Sequence, residues 1–576
     1  MAILIANIGT SDLAIKINNY YIPVGFDRSE PNLDKSGLTP EENQTWRDKD
    51  KLVAETLKEE IGLEYKVEEN RNKIQYKYSF RELTEKLWQV YQDQPSLWEP
   101  RIRPGRIWGV IQTAQLQFSV EEVYLFVTNQ VTDKNTQGHF ADSYYLFRIL
   151  QLWFKKQLPK LTLKAITLPA EVPANNQDAL LDYYHQFFNQ NITSSDTLLL
   201  STKGGTPQMQ TALQIQSLSS TAEKQLFLSP QLAIKRILAG EYSQCYFTSY
   251  WRYLRRQKYQ TVNQILQRWD FEGSREVLLD WQNTLDFLSD NITDDSTLPK
   301  NSRLIASVNQ SLEFALRYFN LDIKGVENLP LTEELKWIKD IKNNYDPLLN
   351  LYTQCCIFWN LNQMANFLSR LGSFCEEILH ELIRQLGAEK YFDKQSAPHD
   401  WHLCKQRVEE KLWQEFALLE RSTNYSFARW DFQKKPRYRL PGRFSKRNFV
   451  EALVKYQGRD NAAWQDIIKY LTQLDYWLEK RNQLIHSAEG ISKERMKKIL
   501  AEDRTNNNKK PDKFSPNPHQ ACGRDEILTV MTILLQTTYK LLSQPSPNHL
   551  NPDAPYYIYS QIANWIQQKL KPEKLA

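Results

Sequence analysis

The chain has 576 residues, 41% of them apolar and 24% charged, with a formal net charge of +5. A chain of this length exceeds what one hydrophobic core usually serves, so we expect two or three domains, and its ordinary composition excludes a disordered or low-complexity protein. The charge excess alone does not indicate nucleic-acid binding. Six cysteines without a CxxC pair or Cys/His spacing favour neither a disulfide framework nor a zinc site. The sequence has no apolar run long enough for a membrane span and no signal-peptide pattern at its start, which predicts a cytoplasmic protein.

The first half alternates apolar, β-rich runs with helical segments. Strands are predicted at 2–7, 123–129, 161–168, 197–202 and 225–229, and helices between them at 143–157, 178–188 and 207–218. Continuous apolar strands separated by helices are typical of a parallel sheet covered on both faces. Residues 1–250 are therefore predicted to form a Rossmann-like α/β domain, with residues 13–118 as an insertion between its first two core strands.

The second half loses its strand signals after about residue 250. We expect a helical linker or subdomain at 251–344, entered through the basic stretch 250–259, and an all-α domain at 345–576.

Small polar residues follow three of the predicted strands. They are Asn7, Gly9, Thr10 and Ser11 after the first, Thr128, Asn129 and Gln130 after the second, and Thr202, Lys203, Gly204, Gly205 and Thr206 after the fourth. Ligands of open parallel sheets collect outside the carboxyl ends of the strands. Thr206 is a suitable N-cap and Pro207 suits the first helical position, so the helix amides and Lys203 would favour an anion such as a phosphate.

The KGGT run also has a plain structural explanation, because a Gly-Gly turn is a good connection between a strand and a helix. It lacks P-loop spacing, and no GxGxxG follows the first strand, which argues against a nucleoside triphosphatase or a dinucleotide enzyme. The occurrence of three polar strand ends together favours a ligand site.

The second half carries Arg481, Asn482 and His486 on one predicted helix. Asn482 and His486 lie four residues apart, hence on one face, and Arg481 reaches the same patch. An arginine can hold the oxygens of a phosphodiester and a histidine can move a proton near neutral pH, with no metal needed. Because one copy does not easily supply both acid and base, such a site favours a two-fold dimer. The alternative is a solvated arginine and a histidine that interacts with the helix dipole.

The stretch 429–447 is strongly basic with interleaved aromatic residues. It could guide single-stranded RNA through phosphate contacts and base stacking, or it could be a solvated loop. The sequence leaves both interpretations open.

The motifs resemble those of a known family. IGTS and STKGGTPQM resemble the ligand motifs of CARF domains, and RNQLIH resembles the Arg-x4-His motif of HEPN ribonucleases. In that order they resemble the CARF–HEPN ribonucleases of type III CRISPR antiviral defence. The resemblance implies a homodimer whose N-terminal domain binds cyclic oligoadenylate through residues 9–11 and 202–206. Binding would activate cleavage of single-stranded RNA by Arg481 and His486, with no metal cofactor.

The resemblance also implies a secondary activity, because in some relatives the CARF pocket slowly cuts its activator. Thr10 and Ser11 are the candidates for positioning the attacking 2′-hydroxyl there. Two other functions remain open on the residues alone. One is a ligand-switched nucleic-acid-binding protein without nuclease activity, and the other is an enzyme that acts only in the N-terminal pocket.

Overall fold

In a computed structural model of the chain, the described residues are 1–25, 33–70, 73–130, 137–338, 345–393, 401–423, 437–440, 442–486, 490–505, 516–547, 550–551 and 557–571. The side chains of residues 70, 73, 137, 138 and 482–486 also lie outside the description. The chain divides into two compact units. The first comprises Met1–Tyr259 and Leu278–Ile305, and the second comprises Gln260–Val277 and Ala306–Ala576.

The strands are short and concentrate in the first unit. They are β1 (Ala2–Asn7), β2 (Ala14–Ile17), β3 (Tyr20–Pro23), β4 (Tyr65–Asn70), β5 (Lys73–Tyr78), β6 (Ile102–Arg103), β7 (Glu122–Val127), β8 (Thr162–Thr167), β9 (Thr197–Ser201), β10 (Lys224–Pro230), β11 (Cys245–Thr248), β12 (His402–Cys404) and β13 (Arg437–Arg439).

The α-helices make up most of the remaining structure. Those before residue 330 are α1 (Pro40–Arg47), α2 (Lys49–Ile61), α3 (Phe80–Asp93), α4 (Pro95–Trp98), α5 (Gly105–Phe118), α6 (Gln137–Phe140), α7 (Tyr144–Gln157), α8 (Gln177–Asn191), α9 (Pro207–Leu218), α10 (Ile234–Ala239), α11 (Trp251–Leu266), α12 (Phe271–Asn291), α13 (Thr297–Phe319) and α14 (Ile323–Glu327). Those after it are α15 (Pro347–Asn360), α16 (Met364–Gln385), α17 (Glu410–Thr423), α18 (Arg443–Tyr456), α19 (Ala462–His486), α20 (Lys493–Thr505), α21 (Ile527–Leu541) and α22 (Tyr557–Lys569).

A six-stranded sheet with the order β11-β10-β9-β1-β7-β8 organises the first unit. The pairs formed by β1, β7, β8, β9 and β10 are parallel, and β11 adds an antiparallel edge. From β1 the chain builds outward through β7 to β8, then returns to the other side of β1 with β9. The order therefore reverses between β1 and β9, which is where open α/β sheets place their ligands.

Both faces of this sheet are covered, as the continuous apolar strands predict. On one face Ile5 and Leu200 pack with Tyr184 of α8 and Leu213 of α9. Leu4, which points to the opposite face, is completely buried as well. The predicted α/β domain followed by a mostly helical half is thus confirmed, while the antiparallel edge strand β11 was not predicted.

The connection from β1 to β7 carries most of the additional structure. It contains a small sheet in the order β3-β2-β6, the hairpin β4–β5, and helices α1 to α5. Helix α5 passes close to the backbone before β11, because a Cβ built on Gly109 would lie 2.2 Å from the carbonyl oxygen of Ser243.

The second unit is built from helices around one hydrophobic core. Phe367 and Phe374 of α16, Leu453 of α18, Trp477 of α19 and Leu534 of α21 are all buried in it. A two-stranded antiparallel pair, β12–β13, is its only sheet within the described residues. Across the described parts of both units, no helix combines the length and the apolar character that a bilayer crossing requires.

Candidate functional site

The turns after β1 and β9 lie side by side at the reversal point of the sheet. A Cβ built on Gly9 would lie 3.0 Å from the backbone nitrogen of Gly205 and 3.7 Å from Cα of Gly204. A side chain at residue 9 would require the second turn to move away by a few tenths of an ångström. We call the turn residues 8–11 and 202–206 the cradle. The structure thus brings together two of the three predicted polar strand ends.

The second turn of the cradle leads directly into helix α9. Thr206 is its N-cap, with a hydroxyl that accepts a hydrogen bond from the amide of Met209 at 3.2 Å, and Pro207 takes the first helical position. The Thr206 hydroxyl also donates to the carbonyl of Ala174. Gly204 and Gly205 have φ values of +97° and +68°, which L-residues rarely adopt. The helix start and Lys203 give this turn the features of an anion site.

A buried ion pair lies directly beneath the cradle. Asp12 is fully buried and Arg106 is 3% exposed. The Arg106 guanidinium donates to the Asp12 carboxylate at 2.9 Å and 2.7 Å, and to the carbonyl of Asn7 at 3.2 Å. The same carboxylate accepts from the amides of Gly9 at 2.8 Å and Ile107 at 2.9 Å. Removing one partner of such a pair costs about 3–5 kcal/mol, since the other is left buried and uncompensated.

The side chain of Asn7 is hydrogen-bonded to helix α8. Its carboxamide oxygen accepts a hydrogen bond from the Tyr184 hydroxyl at 2.7 Å, and both residues are fully buried. Burial raises the pKa of Tyr184 well above its usual value, so the hydroxyl stays protonated and remains a donor. Within the described residues, Nδ2 of Asn7 and the hydroxyl of Ser201 at the end of β9 have no hydrogen-bond partner. The ends of the two strands that lead into the cradle therefore carry buried polar groups without a partner among the described residues.

The hydroxyl of Thr10 is engaged within the protein. It donates to the carbonyl of Gly25 at 2.6 Å. Its proton is therefore directed to the backbone, whereas its lone pairs remain available as acceptors. Ser11, the next residue, is half-buried.

The third polar strand end belongs to a separate network. Thr128 and Ser143 exchange backbone-to-hydroxyl hydrogen bonds of 3.0 Å across the start of α7. The side-chain oxygen of Asn129 accepts from Arg81 at 2.9 Å, and the amide of Gln130 donates to Asp142 at 2.7 Å. These polar groups serve the local structure, and a ligand role for Thr128, Asn129 and Gln130 stays a prediction.

Asp142 is the buried centre of that network. Its carboxylate is fully buried and pairs with Arg81 at 2.9 Å. Burial raises the pKa of Asp142, although the Gln130 amide and Arg81 oppose the shift. Its second oxygen and Nε2 of Gln130 have no hydrogen-bond partner within the described residues.

Arg481 lies near the end of helix α19, as the sequence predicts. Its guanidinium donates to the hydroxyl of Ser369 on α16 at 3.5 Å, and the side chain is half-buried. The apolar face of the helix, including Ile467, Leu474 and Trp477, is buried in the core. The side chains of Asn482 and His486 lie outside the described residues, so their catalytic assignment stays a prediction.

The basic stretch 429–447 is described only in its last part. Arg443 donates to Asp475 at 2.7 Å, Arg447 pairs with the same carboxylate, and the fully buried Lys446 pairs with Glu376. These three cations are therefore paired with carboxylates of the same unit, and an RNA-guiding role for the stretch stays a prediction. Residues 429–436 and 441 lie outside the described residues.

Three residues of the cradle region have little or no sequence signal. Asp12 has a weak sequence signal, since it is an acidic residue three positions after Gly9, which is the spacing of a capping box. Arg106 and Tyr184 lie 94 and 177 residues from their partners Asp12 and Asn7, and nothing in the local sequence distinguishes them. Within the described residues, no group of three His, Cys, Asp or Glu side chains could hold a metal ion.

Comparisons with known proteins find similar chains among the solved structures. No protein-family model matches the sequence, and no curated protein matches it. Among solved structures, the chain is similar to Csm6 from Enterococcus italicus, solved bound to cyclic hexa-2'-fluoro-hexa-dAMP. The similarity covers 81% of this chain and 95% of that one, at 13% identity and a TM-score of 0.48. The assignment of function to particular residues therefore rests on the geometry of the two sites and on their motifs.

Proposed function

We propose that this chain is a single-strand endoribonuclease that is activated by cyclic oligoadenylate, needs no metal, and acts as a homodimer in type III CRISPR antiviral defence. The observation that carries this proposal is the cradle, where two glycine turns and a helix start meet at the reversal point of the sheet. The proposed RNA cleavage is supported by the Arg-x4-His sequence on α19.

The cradle suits the phosphates of a cyclic oligonucleotide. The amides at the start of α9 and the charge of Lys203 favour an anion, and Gly204 and Gly205 expose backbone that a phosphate can approach.

RNA cleavage would proceed by attack of a 2′-hydroxyl on the adjacent phosphorus. A base takes the proton of that hydroxyl, the new bond from the 2′-oxygen to phosphorus forms, and the bond to the 5′-oxygen breaks as that oxygen gains a proton. His486 would move one of these protons, and Arg481 would stabilise the negative charge on the nonbridging oxygens. The products are a 2′,3′-cyclic phosphate and a 5′-hydroxyl.

A second copy of the chain completes this chemistry. One Arg481 and one His486 do not readily supply an acid and a base together, whereas a two-fold axis would place two sets in one cleft. Asn482, four residues before His486, would lie on the same helix face and contact the same phosphate.

The test is cleavage of single-stranded RNA by the full chain with cyclic tri-, tetra- or hexa-adenylate. We expect one activator to induce fragments that end in cyclic phosphate, and we expect Arg481→Ala and His486→Ala to abolish cutting while activator binding persists. Arg459→Ala is the matched control, because Arg459 is an exposed arginine of the same unit. Retardation of intact RNA without fragmentation would instead support a binding protein.

The same reaction mixtures test whether the cradle degrades its activator. Chromatography of the oligoadenylate after incubation separates a pure sensor from one that also cuts the ring. Ser11→Ala and Thr10→Ala are the informative variants, and because the Thr10 proton goes to Gly25, Ser11 is the stronger candidate for positioning a 2′-hydroxyl.

A further inference from the structure

Arg106 stands out among the residues that surround the cradle, because it contacts the backbone just before the first turn and the backbone of the second turn. Its guanidinium donates to the carbonyl of Asn7 at the end of β1. On the other side, a Cβ built on Gly204 would lie 2.3 Å from Nη2 of Arg106. The positive charge is therefore packed against the backbone on which an anion would bind.

The start of helix α5 positions the Arg106 side chain close to the cradle. Gly105 has a φ of +54°, and a Cβ there would lie 2.4 Å from the carbonyl oxygen of Ser11. The helix can begin this close to the first turn of the cradle only because residue 105 is a glycine. Arg106 follows at once and reaches beneath the turn, while the amide of Ile107 donates to Asp12.

We propose that Arg106 is a positioning residue for the activator. The negative charge of Asp12 determines how strongly the positive charge of Arg106 attracts the bound anion. This inference rests on the proposed function. Arg106 fixes the two turns and places a positive charge under the anion, and Asp12 partly cancels that charge. The residue belongs to the insertion between β1 and β7, so the insertion contributes to ligand binding through this contact.

If the charges of Arg106 and Asp12 act on the activator, removing each charge should change the affinity in opposite directions. A purely structural role of the pair would not produce opposite changes. A neutral pair, Asp12→Asn with Arg106→Met, serves as the reference, since replacing both members of a buried ion pair is often tolerated. Relative to it, the single variant Asp12→Asn keeps the buried cation alone and should bind the activator more tightly. The single variant Arg106→Met keeps the buried anion alone and should bind it more weakly.

The experiment measures the dissociation constants of radiolabelled cyclic tri-, tetra- and hexa-adenylate for the full chain. We expect the two single variants to differ by about tenfold or more, as follows from a charge a few ångströms from a phosphate at an intermediate dielectric. Thermal unfolding of each variant controls for folding, and Arg106→Lys, which keeps the charge, should retain affinity better than Arg106→Met at similar stability.

The binding results distinguish a failure of the proposed function from a failure of this inference about Arg106. If the wild-type chain binds none of the three oligoadenylates, the proposed function fails and this inference fails with it. If the wild type binds but Asp12→Asn and Arg106→Met weaken binding in parallel, only the inference is overturned, because Arg106 then acts through folding alone. Opposite shifts of the two variants support it.

Discussion

Replacing Gly204 with alanine adds only one methyl group, but it should destabilise the cradle strongly. Gly204 has a φ of +97°, and a Cβ there would lie 2.3 Å from Nη2 of Arg106 and 2.5 Å from the carbonyl oxygen of Asn7. The backbone conformation alone costs about 1–3 kcal/mol for a residue with a side chain. Displacing the backbone of β1 and a buried guanidinium adds about 1–3 kcal/mol. We expect the free energy of unfolding to fall by about 2–6 kcal/mol.

The same change should reduce activator affinity, because the two turns no longer meet. Urea unfolding gives the stability loss, and equilibrium binding of labelled cyclic oligoadenylate gives the affinity. Gly62→Ala is the matched control: Gly62 ends helix α2 with a φ of +69°, and a Cβ there has no atom of the described residues within 4 Å. It should lose about 1–2 kcal/mol of stability and no affinity. If Gly204→Ala bound activator like the wild type and lost no more stability than Gly62→Ala, the close packing of the cradle would be refuted.

Three further predictions concern buried polar groups. Tyr184→Phe removes the hydroxyl that orients Asn7, and we expect a loss of about 1–2 kcal/mol in urea unfolding together with weaker activator binding. Burial raises the pKa of Asp142 above that of an unfolded chain, so the wild type loses stability as pH rises from the ordinary carboxyl range through the raised pKa. Asp142→Asn cannot ionise and should therefore gain stability relative to the wild type over that rise in thermal unfolding, and a stability difference that does not change with pH would contradict this. Asp475→Ala strands the two arginines that pair with it and should lower the unfolding free energy of the helical unit by about 3–5 kcal/mol, whereas an unchanged melting temperature would show that the pair contributes little.

Much of the fold could be predicted from the sequence because the signals are local. Strand β1 is a continuous apolar run, and helix α9 starts at a Thr-Pro pair; the predicted bounds 2–7 and 207–218 match the structure. Strand β11 was missed because it is short and alternates half-buried with exposed residues at the sheet edge. A run of four such residues does not differ from a loop in local pattern.

The candidate site could be predicted only where its residues are adjacent in the sequence. Gly204, Gly205 and Thr206 form one turn, so their composition indicates their role. The ion pair of Asp12 and Arg106 depends on the packing of α5 against β1, which no local pattern encodes, and the insertion that carries Arg106 had no assigned role. For the basic stretch 429–447 the sequence leaves both interpretations open, because a count of charges cannot reveal that Arg443 and Arg447 pair with Asp475.

The most direct test of the account is the rate at which the full chain cleaves a fluorogenic single-stranded RNA in EDTA, measured with and without cyclic oligoadenylate. We expect one activator to raise the rate strongly, and we expect His486→Ala to remove the activated rate while the chain still binds the activator. Equal rates with and without every activator, or an activated rate that survives in His486→Ala, would contradict it.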